Sequence, residues 1–90
     1  MNNNGEVSLT YSGILHDKEG KPFVSVRFER RNEKGEVDEA EMRIPGEKVL
    51  GSKGFSQEEI DQMSKFLHDN EDDIRKKAKE ISGFLHIFSQ

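Results

Sequence analysis

The chain opens on a period-two pattern. Val7, Leu9, Tyr11, Gly13 and Leu15 take the odd positions, with Ser8, Thr10 and Ser12 between them. Alternation of this kind marks a strand with one face buried and the other in solvent. Ile14 breaks the pattern beside Gly13, which fits a β-bulge there. After a polar turn, Asp17-Lys18-Glu19-Gly20-Lys21, the alternation resumes from Phe23 to Arg30. Val24, Val26 and Phe28 lie on one face of this second strand, and Ser25, Arg27 and Glu29 on the other. A second turn, Asn32-Glu33-Lys34-Gly35, leads to a third strand from Glu36 to Ile44. Ala40, Met42 and Ile44 there alternate with Glu39, Glu41 and Arg43, and Pro45-Gly46 ends it.

The turns set the register. A three-residue hairpin loop places its last residue in the left-handed region, which suits Gly35. With Glu33-Lys34-Gly35 as that loop, Phe28 faces Ala40, Val26 faces Met42 and Val24 faces Ile44, all on one face, while Arg27 faces Glu41 on the other. A slip of one residue would turn every one of these side chains to the wrong face. The same rule at the first turn sets Leu15 against Phe23 and Tyr11 against Arg27. A longer loop, or a bulge near Gly13, aligns Tyr11 with Phe28 instead, and the pattern leaves both open.

Residues 47–54 read as a loop with Val49-Leu50 as an apolar plug. The period then changes. Ser56 and Glu59 have the spacing of a capping box, and Phe55 and Ile60 that of a hydrophobic staple. Ile60, Leu67, Ile74, Ile81 and Phe88 recur every seven residues, with Met63, Ala78, Phe84 and Leu85 widening the stripe. These features predict a helix over about 57–82, kinked or interrupted near Asn70. Glu71, Asp72 and Asp73 would begin a second segment whose basic residues follow, an order that suits the helix dipole. Gly83 is the expected stop.

The expected architecture is therefore α+β: a three-stranded antiparallel meander followed by a long C-terminal helix packed on one face. It forms a single domain over residues 7–90, behind a disordered N-terminus of residues 1–6. The expected core is Leu9, Tyr11, Val24, Val26, Phe28, Met42, Ile44, Phe55, Ile60, Met63, Leu67, Ile74 and Ile81.

Composition sharpens this picture. Only 31% of the 90 residues are apolar against 36% charged, so a core forms only if nearly all the apolar residues join it. That makes the C-terminal tail conspicuous. Phe84, Leu85, Ile87 and Phe88 cannot all lie on one side of a helix. They either close over the end of the sheet or form a surface for a partner. A tail that added as a strand to a second copy would also cover the sheet's exposed edge.

The order Pro22-Phe23-Val24-Ser25-Val26, then Gly54-Phe55-Ser56-Gln57-Glu58-Glu59-Ile60, then Asp69-Asn70-Glu71-Asp72-Asp73-Ile74, resembles a family of small, uncharacterised bacterial domains often encoded near toxin–antitoxin genes. The resemblance implies a strand-strand-helix order and a bacterial origin, and it brings no activity with it. That family's strand usually reads Pro-His-Val-His-Val. Phe23 and Ser25 stand here in place of both histidines, so a role for that pair does not carry over.

The charge pattern narrows the chemistry. The chain has no cysteine and a net charge of −4, which excludes disulfide and thiolate-zinc scaffolds and lacks the basic balance usual in a nucleic-acid binder. His16, His68 and His86 have no metal-ligand spacing. Glu58/Glu59, Asp72/Asp73 and Glu39/Glu41 read as solvated or helix-start carboxylates rather than acid–base pairs. No catalytic residue, metal site or cofactor is expected. Without a signal peptide or a membrane-length apolar run, the expected location is the cytoplasm. Two functional expectations remain. The first is a non-enzymatic interaction or self-association module, a homodimer or the partner of an unidentified protein, acting through Phe84, Leu85, Ile87 and Phe88. The alternative is a nucleic-acid-binding or toxin–antitoxin-associated regulatory module, with Arg27, Arg30, Arg31 and Arg43 clustered beside Phe23 on the exposed sheet face.

Overall fold

The structure is a computed structural model that describes residues 6–88, with side chains described as far as Ser82. The remaining residues of the expected disordered N-terminus lie outside the described residues. The fold is α+β, an antiparallel sheet of five strands with two helices. The strands are β1 (Val7–Tyr11), β2 (Leu15–His16), β3 (Pro22–Arg31), β4 (Val37–Ile44) and β5 (Lys48–Lys53), and the helices are α1 (Gln57–Asp69) and α2 (Glu71–Phe88). The sheet order is β1-β3-β4-β5, with β2 continuing the β1 side of β3.

The expected first strand is present in two pieces. Leu15 pairs with Phe23, as the turn rule requires, but Tyr11 pairs with Val26. Neither open register holds, because the extra residue of the bulge lies on the first strand and shifts Tyr11 toward the turn. The bulge is well satisfied. Ser12 N–H donates to the Ser25 carbonyl at 2.9 Å, and the Ser25 N–H donates to Ser12 Oγ at 3.0 Å. The Ile14 N–H donates to Ser82 Oγ of α2 at 2.7 Å. A Cβ on Gly13 would sit 2.6 Å from that same oxygen, so the glycine is what lets α2 approach.

The β3–β4 register agrees with the sequence reading at Val24/Ile44, Val26/Met42, Phe28/Ala40 and Arg27/Glu41. The two expected hairpin turns use one device. Asp17 Oδ1 accepts from the Glu19 and Lys21 N–H groups, and Asn32 Oδ1 accepts from those of Lys34 and Glu36. Gly20 and Gly35 take the left-handed positions, with φ of +82° and +80°.

Two features differ from expectation, at β5 and at the end of α2. The segment expected as a loop after Gly46 forms a further strand, β5, held by backbone pairing to β4 although every residue in it is exposed. The interruption expected near Asn70 is present: two helices meet there, and the Asn70 N–H and Nδ2 both donate to the Phe66 carbonyl, at 3.1 and 2.8 Å. Gly83 does not stop α2, which continues to Phe88. A glycine costs a helix interior about 1 kcal/mol without terminating it.

The core lies between one sheet face and the helices. Val24, Val26, Phe28, Ala40, Met42, Ile44, Ile60, Met63, Leu67, Ile74 and Ala78 are buried, with Leu9, Tyr11, Ile14 and Phe55 packed at its margin. Ala40 and Ala78 join the expected set, and Ile81 is only half-buried. The capping box of α1 is complete, with the Glu59 N–H donating to Ser56 Oγ at 3.1 Å and the Ser56 N–H to Glu59 Oε1 at 2.9 Å.

Candidate interaction surface

Val7 shares the core-facing parity of Leu9 and Tyr11 but lies at the outer end of β1. Phe66 of α1 stands beside the buried stripe Ile60-Met63-Leu67 rather than within it. Val7 is 44% exposed and Phe66 47%. The two flank a shallow groove of about 220 Å³ floored by Phe28, Phe55 and Met63. Large apolar side chains around a concavity are the usual mark of a contact surface.

One end of this groove is fixed by an ion-pair network. The Arg30 guanidinium donates to Asp38 Oδ2 from Nε and Nη2, at 3.0 and 2.8 Å, and from Nη1 to Glu59 Oε2. It also lies over the Phe55 ring, 4.5 Å from the centroid. Asn32 Nδ2 donates to Asp38 Oδ1 at 3.0 Å. Asp38 is only 5% exposed, a burial that a carboxylate tolerates when it is paired and hydrogen-bonded. The bond from Arg30, followed by that from Asn32, holds the Asp38 carboxyl below its usual range. The bond from Arg30, followed by that from the Ser56 N–H, does the same for Glu59. Arg30 thus ties β3, β4 and the start of α1 together and orients Phe55 beneath the groove.

This network corrects the placement of Arg30. It was expected with Arg27, Arg31 and Arg43 on the exposed sheet face. It has the parity of Val24, Val26 and Phe28, and therefore points to the helix side. Arg27 is on the open face but is paired, at 3.1 Å to Glu29 Oε2 and 2.6 Å to Glu39 Oε2. Donation to the Glu39 carboxylate, more than that to Glu29, raises the Arg27 pKa. Arg31 donates to the Gly35 carbonyl at 3.2 Å. Arg43 lies over Phe23, 4.1 Å from the ring centroid. The four arginines are thus divided between two faces, and those on the open face are mixed with glutamates.

The side chains of Phe84, Leu85, Ile87 and Phe88 lie outside the described residues. Their backbone belongs to α2, so a tail added as a strand is not the arrangement found. The free side of β5 is also poorly suited to strand addition. Its register shifts opposite Glu41 and Met42, and lysines stand at both of its ends. Bulges and edge lysines oppose edge-to-edge pairing.

Among the described residues, no group of three or more His, Cys, Asp and Glu side chains is placed to hold a metal ion. His68 Nδ1 lies 3.1 Å from Glu47 Oε1, linking the end of α1 to the β4–β5 turn. No described helix is long and apolar enough to cross a membrane.

No protein-family model, curated protein or solved structure matches this chain. The resemblance to small bacterial domains therefore stands on its quoted residues alone. Sequence reasoning missed Asp38, Val7 and Phe66 as surface-shaping residues. The hairpin register, extended two pairs beyond Phe28/Ala40, sets Arg30 opposite Asp38, and that was the available signal for the network.

Proposed function

We propose that this protein is a non-enzymatic interaction module that associates with a second copy of itself through the α1–β1 groove. The observation that carries the proposal is the pairing of Val7 and Phe66, both exposed, across an apolar depression in a chain with few apolar residues to spare. Burying the exposed parts of two such side chains and their copies removes apolar surface from water, which is the main drive for association. The rim suits the role, because Glu59 is held by Arg30 and its own helix cap and leaves the apolar floor unopposed. The apolar C-terminal residues Phe84, Leu85, Ile87 and Phe88 add to the same reading by composition.

Light scattering across a concentration series tests it. The expected mass rises toward twice the 10.3 kDa of one chain, and Phe66→Glu returns it to one chain while far-ultraviolet circular dichroism stays unchanged. A wild-type mass of one chain at every concentration refutes the proposal.

A further inference from the structure

We propose that the end of the open sheet face around Arg43 is a binding site for a small oxyanion, the phosphate or carboxylate group of a small molecule. This surface lies on the face opposite the α1–β1 groove and does not depend on self-association.

Arg43 differs from the other arginines in its pairing. Among the described residues, Arg27 pairs with Glu29 and Glu39, Arg30 with Asp38 and Glu59, and Arg75 with Glu71, while Arg31 bonds the Gly35 carbonyl. Arg43 has neither an ion pair nor a hydrogen bond there, and its Nε is buried without a partner. Buried polar atoms are nearly always satisfied, and an exception calls for a cause. The guanidinium is not loose, because it lies over the Phe23 ring at 4.1 Å from the centroid. Such stacking holds the planar fork in one orientation, which lowers the entropy lost when it binds an oxyanion.

The charges around Arg43 are mixed, and the one directly across the strand pair is positive. Lys48 is the direct cross-strand partner of Arg43, and like charges in directly opposite positions destabilise a sheet. His16 and Lys18 line the same depression, which has a volume of about 400 Å³. Asp17 and Glu19 also line it and offset part of this charge: the bonds from the Lys21 and Glu19 N–H groups, with the charges of Lys21 and Arg43, hold the Asp17 carboxyl below its usual range, but neither carboxylate is in ion-pair contact with Arg43. Asp17 Oδ1 is taken by the Glu19 and Lys21 N–H groups at 2.8 and 2.9 Å, and Glu19 lies 3.9 Å from Lys21 Nζ. An oxyanion bound to Arg43 would engage its free donors and relieve the Arg43–Lys48 repulsion together.

NMR of the full chain labelled with ¹⁵N tests this. One arm titrates inorganic phosphate and a second titrates succinate, each against sodium chloride at matched ionic strength. The expected result is saturable movement of the Arg43 Nε–Hε resonance and of the amides from Asp17 to Phe23. Arg43→Gln should weaken binding about tenfold. Lys48→Gln, an exposed change, should weaken it several-fold and leaves the folding of the site out of question. Saturation by phosphate alone marks a phosphate ligand, and saturation by succinate alone marks a carboxylate. Shifts no larger than those in chloride, or binding unaltered in both variants, overturn the proposal.

Discussion

Asp38, Arg30 and Gly54 explain one another at the scale of single residues. A Cβ on Gly54 would lie 2.0 Å from Asp38 Oδ1, and the Gly54 backbone has a φ of +92°. Gly54→Ala therefore meets both a clash and a left-handed backbone. Its expected cost is about 1–3 kcal/mol, read as a lower urea midpoint with an unchanged slope. Arg30→Met should act differently. Asp38 and Glu59 are held below their usual carboxyl range in the folded chain, so the unfolded chain binds more protons in mild acid. Their contribution is complete above the unfolded carboxyl range, near pH 4, and is lost as pH falls through the lower folded values. Thermal melts from pH 7 to pH 2 should show Arg30→Met less stable at neutral pH and less sensitive to acid than the wild type. Parallel acid profiles for the two proteins would contradict the role given to Arg30.

At the scale of elements, legibility followed chemistry. The β3–β4 register was readable because three apolar pairs and one glycine-bearing loop all required the same alignment. The first strand was half readable. Its alternation and the bulge at Gly13 were visible, but the bulge was expected to bring Tyr11 to Phe28, whereas an extra residue on the first strand moves it the other way, to Val26. β5 was not readable. Lys48-Val49-Leu50-Gly51-Ser52-Lys53 has no alternation, its glycine and serine are weak strand formers, and its pairing is a gift of β4. The helix boundary at Asn70 was visible as a capping residue, whereas Gly83 was misread because a lone glycine weakens a helix without ending it. Two outcomes belong here. Gly13→Ala should push Ser82 away and speed hydrogen exchange at the Ile14 amide, the group that Ser82 holds. Leu67→Ala, at a site with no exposure, should cost about 2–5 kcal/mol in chemical denaturation.

At the scale of the whole molecule, one sheet face is covered by helices and the other is open and carries interleaved charge. The covered face explains how a chain with so few apolar residues keeps a core. Of the large apolar side chains that the core leaves exposed, Val7 and Phe66 flank one groove. The groove was not legible from the sequence, because Val7 shared the parity of a buried strand and Phe66 lay next to the helix stripe. Whether a second copy occupies it is answered most directly by isotope-filtered NMR on a mixture of labelled and unlabelled chains. NOEs between copies are expected from the Phe66 ring and the Val7 methyls, with their loss in Phe66→Glu. Association without any intermolecular NOE at Phe66 or Val7 would contradict it.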